Sequence, residues 1–231
     1  MFVTSFVSFL VSIPILINNF YSVNFLSPIL NLLFIPLITF IIFPFTLITF
    51  LFPNLIGVLD KFVYILEYLS LHLSKIHLFI FSFKKVSFFF LILYYIVIYF
   101  VLNKILNKKY QYIFLFVVIL IIHYHYNFFD GNTKVTMLDV GQGDSILMEL
   151  EHGKGSILID TGGIFYKDQV NNILIPYFKS IGVKKINYLI LTHGDYDHIG
   201  NAINLVDNFK VDNVIFNCGS YNDLEKELIK V

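Results

Sequence analysis

The stretch Leu191-Thr192-His193-Gly194-Asp195-Tyr196-Asp197-His198-Ile199-Gly200-Asn201 continues from the apolar run Tyr188-Leu189-Ile190-Leu191. The run reads as a buried strand. Four metal-capable side chains, His193, Asp195, Asp197 and His198, follow it within six residues. A tight loop there can aim imidazole nitrogens and carboxylate oxygens at a common centre. Two histidines and two carboxylates suffice for one or two divalent cations with positions left open for a water, which the cations would acidify into a hydrolytic nucleophile.

Outside this stretch most of the chain is apolar. Of 231 residues, 57% are hydrophobic, 18% aromatic and only 14% charged, with a mean hydropathy of +0.76. Such averages are foreign to a soluble domain. The excess lies in residues 1–129, whereas residues 130–231 have ordinary polarity, so two domains in two solvents are expected. Net charge is zero, which gives no basic face for nucleic acid from the totals alone. Lysine supplies every basic charge and tryptophan is absent, a pattern of coding bias that carries no mechanism. The single Cys218 excludes an intramolecular disulfide and reads as a small buried residue after the strand Val214-Ile215-Phe216.

A membrane span needs about 20 mainly apolar residues. Phe2 to Ile17 is one candidate, broken at Pro14. Pro28 to Phe52 is a second, which Pro36 and Pro44 must kink or split into re-entrant pieces. Leu55 to Leu78 carries Asp60, Lys61, Glu67, His72, Lys75 and His77, too many for a lipid-exposed span, and reads as interfacial or packed on the bundle. Val86 to Leu102 and Tyr110 to Tyr126 form a hairpin about the polar turn 103–109, giving about four spans or re-entrant helices in all. Lys104, Lys108 and Lys109 in that turn favour the cytoplasmic side and would deliver residues 130–231 to the exterior; Lys84 and Lys85 at the other end argue the opposite. Residues 1–20 have no basic start and no small-residue cleavage site, against a signal peptide. His123 and His125, two apart, cannot share a helical face and read as interfacial.

From Lys134 the pattern is that of strands: 135–140, the turn Gly141-Gln142-Gly143-Asp144, strand 145–150, a turn at 151–155 and strand 156–159. Asp160-Thr161-Gly162-Gly163 closes this meander. A helix is predicted over 168–181, ending at Gly182, then the strand before the His/Asp loop, a helix near 200–206, a strand over 211–216 and a helix over 221–230. In outline this is ββ-α-β-α-β plus a final helix, an α/β layered sheet with the loop at its strand ends.

His193-Gly194-Asp195-Tyr196-Asp197-His198, with Asp160-Thr161-Gly162 closing a preceding strand, resembles the metallo-β-lactamase fold hydrolases, whose signature is His-x-His-x-Asp-His. Asp195 stands where the second histidine would be. That makes the ligand set harder and moves the expected metal from strictly Zn²⁺ toward Mn²⁺ or mixed occupancy. The string Leu138-Asp139-Val140-Gly141-Gln142-Gly143-Asp144-Ser145 narrows the resemblance to the ComEC-type DNA-uptake proteins, and Ser27 to Pro36, with Pro44 eight residues on, resembles the end of their multi-span competence domain. The resemblance implies a multi-span α-helical membrane region (1–129) followed by the N-terminal half of an αββα-type metallo-β-lactamase-like domain (130–231). It also implies metal ligands His193, Asp195 and His198, with Asp197 as ligand or water-orienting base. Asp160 is either a hydrogen-bond acceptor beside the loop or a turn aspartate. Asp139 and Asp144 are supporting residues or plain turn residues.

Downstream of His198, Asp207, Asp212 and Asp223 fit helix-end or turn roles, and residues 217–231 contain no histidine, so the later ligands of such a hydrolase are not expected in this chain. The resemblance then implies a piece of a membrane DNA-uptake channel, with single- or double-stranded DNA and membrane lipid as partners and part of a metal-dependent nuclease. Alternatives are a translocation or assembly subunit completed by a second polypeptide, a membrane-anchored hydrolase of another ester, and a decayed reading frame. Whether the chain is itself an enzyme stays open.

Overall fold

The computed structural model describes residues 2–74, 76, 79–164 and 168–230. Lys75 and His77 of the 55–78 stretch lie outside them. The apolar half is helical: α1 (Phe2–Phe20), α2 (Ser27–Pro36), α3 (Phe43–Leu51), α4 (Ile56–Ser74), α5 (Phe88–Leu106) and α6 (Ile113–Tyr124). Two three-residue strands, β1 (Ser22–Asn24) and β2 (Ile80–Ser82), pair antiparallel between them.

Pro14 does not break the first span. Helix α1 runs through it because Phe9, Leu10, Ile13 and Ile17 are buried in one cluster with Tyr94, Ile98 and Val101 of α5. That burial outweighs the single backbone hydrogen bond a proline removes. The second stretch is not split: helix runs on from Ser27 to Leu51. Between α2 and α3 the chain widens into a π-helical stretch, Leu37–Ile42, in which the N–H of Phe43 reaches the Ile38 carbonyl. The wider turn makes room for the Pro44 ring, and the Thr46 hydroxyl donates to the Ile42 carbonyl at 2.8 Å. Among the described residues three stretches are long and apolar enough to cross a membrane, Val3–Phe20, Ser27–Leu51 and Phe88–Leu106, while Tyr110–Tyr124 is shorter. Most of the α4 surface is exposed and apolar, with Leu59, Val63 and Leu66 half-buried along one side.

His123, at the end of α6, is buried. The Tyr94 hydroxyl donates to its Nδ1 (2.8 Å), and its Nε2–H donates to the Lys84 carbonyl (2.8 Å), so one imidazole ties α5, α6 and the segment before α5 together. Tyr94→Phe is expected to lower stability by about 1–2 kcal/mol by orphaning a buried ring nitrogen. Tyr95→Phe, which loses only a 3.4 Å contact to the Val11 carbonyl, is expected to change it by less than about 0.5 kcal/mol. Thermal unfolding of both variants in detergent checks the contrast.

The second half is built on one five-stranded sheet ordered β3 (Lys134–Met137), β4 (Ile146–Glu149), β5 (Ser156–Ile159), β6 (Tyr188–Ile190), β7 (Val214–Ile215). The first three strands pair antiparallel and β5-β6-β7 pair parallel. Leu147, Leu158 and Leu189 are cross-strand neighbours, and all three are fully buried. They pack in one cluster with Leu174 and Phe178 of the helical stretch 170–181, whose second part is α7 (Ile175–Ile181), with Ala202 and Leu205 of α9 (Ala202–Asn208), and with Leu228 of α10 (Asp223–Leu228). Gly182 ends α7 in the left-handed region (φ 82°), as its position at the end of the helical periodicity predicts.

The strands are shorter than the apolar pattern predicts. Strand 211–216 reduces to β7 plus the single bridge Ile186–Val211, because Asp212 and Asn213 turn their side chains to Lys185 and to the Asn187 carbonyl. Cys218 is exposed, a correction to its expected burial: β7 ends at Ile215 and the chain leaves the sheet before reaching it.

Candidate metal centre

Because β3 and β4 form a hairpin and β4-β5-β6 lie side by side, three loops meet at one edge of the sheet: 138–145 between β3 and β4, 160–163 after β5 and 191–195 after β6. Crevices outside strand ends are where open α/β sheets place their sites. The loops interlock through the backbone. Thr161 N–H donates to the His198 carbonyl (2.7 Å), Gly162 N–H to the Asp144 carbonyl (3.0 Å) and Asn201 N–H to the Gly162 carbonyl (3.1 Å). At Gly143 (φ 79°) a Cβ would lie 1.6 Å from the Asp197 carbonyl oxygen, and at Gly163 one would lie 2.0 Å from that of Tyr196. Only glycine permits such approach.

Asp160 sits at the centre. It is 2% exposed and, unusually for a residue other than glycine, has φ 56°. Its carboxylate accepts from the Thr192 N–H (2.9 Å), the Thr192 hydroxyl (2.6 Å) and His198 Nδ1 (2.9 Å). This is the acceptor role beside the loop, rather than a turn aspartate serving its own backbone, and the unfavourable φ is held by those bonds. The Thr192 hydroxyl spends its one proton on Asp160, so it can only accept from His193 Nδ1, 2.9 Å away. Both histidines therefore carry their proton on Nδ1 when neutral and turn a bare Nε2 outward.

Each Nε2 has a carboxylate beside it. His193 Nε2 lies 3.5 Å from Asp195 Oδ2 and His198 Nε2 lies 3.9 Å from Asp197 Oδ2, with the two rings 3.8 Å apart between centroids. Asp197 and His198 belong to a four-residue helix, α8 (Tyr196–Ile199), rather than to open loop. The four side chains are gathered as two His–Asp pairs; among the described residues no three His, Cys, Asp or Glu side chains stand in ligand geometry for one ion. Their chemistry fits a divalent cation nonetheless. Two imidazoles with Nδ1 tied back and Nε2 bare, the first by a hydroxyl and the second by a carboxylate, have the outer partners that metal-binding histidines use. The ion pairs of Asp195 and Asp197 among the described residues are with these histidines alone, leaving surplus negative charge.

Asp144 is exposed, and its charge acts on His198. Asp139 belongs to the turn: its Oδ1 accepts from the Gly141 N–H (3.1 Å). Asp212 pairs with Lys185 and Lys210, and Asp223 with Lys226, the turn and helix-end roles expected. Sequence reasoning missed Thr192, although a hydroxyl directly before His193 was its signal. It placed α10 but missed its contact with the loop: Asn222 and Glu225 form a capping box and the Asn222 amide donates to the Gly194 carbonyl, seating the helix there.

Burial works to lower the His198 imidazole, but the hydrogen bond and charge of Asp160, then Asp197 and Asp144, outweigh it and hold the ring above the ordinary histidine value. Its folded value exceeds its unfolded one, so the stabilisation is full below the ordinary value and is lost as pH rises through the raised one. In chelator, the chain should lose thermal stability as pH rises above the ordinary histidine value, and His198→Gln should flatten that slope. Cation uptake should strengthen over the same range, since a ligand nitrogen must be deprotonated.

Residues 1–108 match the family model described as competence protein, and residues 138–217 match that of the metallo-beta-lactamase superfamily, whose members generally bind divalent metals. Fold and matches define the class: an apolar helical membrane segment of the competence family joined to a metallo-beta-lactamase superfamily segment. That pairing is the one found in ComEC-type competence proteins, and the matches support a fragment of that type. It is similar to ComE operon protein 3 of Bacillus subtilis (strain 168), 26% identical over 253 residues. The alignment takes in 98% of this chain and 32% of that relative, so the chain spans about a third of the relative's length.

Proposed function

We propose that this chain is a segment of a membrane protein for DNA uptake whose strand-end site holds one or two divalent cations, Zn²⁺ or Mn²⁺, for phosphodiester hydrolysis. The observation that carries this is the pair of imidazoles with bare Nε2 atoms beside carboxylates, following a competence-family membrane segment. His193, His198 and Asp195 would hold the cation, Asp160 and Thr192 orient the rings, and Asp197, 43% exposed along its side chain, would take a proton from water. The bound cation would supply Lewis acidity and charge stabilisation for the attacked phosphoryl group. Lysines in the α5–α6 turn support a cytoplasmic turn and an extracellular hydrolase segment.

The test is Mn²⁺-dependent cleavage of DNA by the full chain in nanodiscs. Loss of at least about 100-fold in His193→Ala and Asp197→Asn is expected; cleavage unchanged in both would defeat the nuclease reading. A second reading, a translocation or assembly subunit completed by another polypeptide, is favoured by the open β7 edge, where Ile215 is 44% exposed. Cells whose only copy carries His193→Ala would then still import DNA.

A further inference from the structure

The ends of α5 and α6 nearest the sheet enclose a groove of about 840 Å³. Its wall is apolar, formed by Phe90 and Leu93 of α5, Ile119 and Ile122 of α6, and Phe129. Its rim is cationic, carrying Lys84, Lys85 and Lys134. Lys134 is paired with Asp130, which also lines the rim, so three ammonium groups against one carboxylate leave two positive charges. Glu149 faces Lys84 and Lys134 without lining the groove. Lys84 is half-buried, donating to Asn127 Oδ1 at 3.2 Å, and Lys85 is exposed. On the floor His123 and Tyr94 satisfy each other, so an apolar occupant strands no polar group there.

We infer that this groove binds one anionic phospholipid, its acyl chains along the α5–α6 wall and its phosphate at the lysine rim. Three observations choose that occupant. The groove is apolar along one end and positive at the other, the complement of an anionic amphiphile. It lies between two apolar helices, where acyl chains can enter from the bilayer while the lysines meet a headgroup phosphate. Exposed Tyr126 and Phe129 line it, and aromatic residues collect at the headgroup level. The bound lipid would also brace the junction of the two halves, where the Lys85 N–H donates to the Ser180 carbonyl (2.8 Å) and the Lys184 ammonium to that of Tyr124 (2.8 Å).

The experiment uses the full chain purified in mild detergent, then exposed to phosphatidylglycerol, phosphatidylcholine or inorganic phosphate. Native mass spectrometry reads retained lipid, and thermal unfolding reads protection. Phosphatidylglycerol should be retained and protective, and the other two probes not. Lys85→Gln and Lys134→Gln should each lower retention about fivefold, and Ile122→Trp, a half-exposed position that fills the groove, should abolish it while unfolding stays cooperative. Equal retention of phosphatidylcholine, protection by inorganic phosphate alone, retention unchanged in both lysine variants, or retention surviving Ile122→Trp would each overturn the site.

Discussion

Gly143→Ala is expected to be the most damaging single-methyl addition in the chain. The new Cβ would fall 1.6 Å from the Asp197 carbonyl oxygen and 2.5 Å from its carbon, and the backbone there has φ 79°. The obstacle is main chain in the helix that carries Asp197 and His198, so no rotamer change relieves it. Left-handed backbone costs an alanine about 1 kcal/mol. Separating two packed loops should bring the loss above about 3 kcal/mol. The damage should also reach the site, because moving the α8 backbone shifts His198 away from Asp160. Gly219→Ala, with nothing within 4 Å of its Cβ, is the matched control and should be nearly neutral. Thermal unfolding with a Mn²⁺ titration of each variant checks both effects; a Gly143→Ala chain with full stability and full metal uptake would refute the interlocked loops.

The second large effect is expected at Asp160. Asparagine tolerates positive φ and nearly matches aspartate in size, so Asp160→Asn isolates the acceptor. One of its terminal atoms becomes a donor facing two groups that donate to Asp160 in the parent, the Thr192 hydroxyl and His198 Nδ1–H. A loss of about 2–3 kcal/mol is expected from buried donors left unpaired, and a ten- to hundredfold loss of metal affinity from rings no longer held. Asp160→Ala adds the left-handed backbone penalty and should be worse. Equal metal affinity in the asparagine variant and the parent would show that Asp160 serves only the fold.

The site was legible in the sequence wherever chemistry and local spacing coincide. His193, Asp195, Asp197 and His198 stand next to one another in the chain and directly after a strand, so their approach needed no knowledge of the distant fold. The α5–α6 hairpin was legible for the same reason, from two apolar runs around a lysine-rich turn. What escaped notice depends on contacts far apart in sequence. Gly143 meets Asp197, Asn222 meets Gly194, and Tyr94 meets His123 across a helix pair, and none of these pairings leaves a local period. The β3 strand stops early for a local reason that apolar alternation hides: the Asp139 side chain caps the turn at Gly141 and draws the chain out of the ladder. Pro14 misled because the cost of a proline is visible in sequence, whereas the buried face that offsets it belongs to α5.

The claim on which the account rests is that the imidazoles held by Asp160 and Thr192 gather a cation. Mn²⁺ titration of the full chain in nanodiscs, followed by electron paramagnetic resonance, tests it directly. Saturable binding is predicted, weakened at least about tenfold in His198→Ala and in Asp160→Asn and unchanged in a distant acidic variant such as Asp212→Asn. Absence of saturable binding in the parent chain, or binding that Asp212→Asn weakens as much as His198→Ala does, would contradict it.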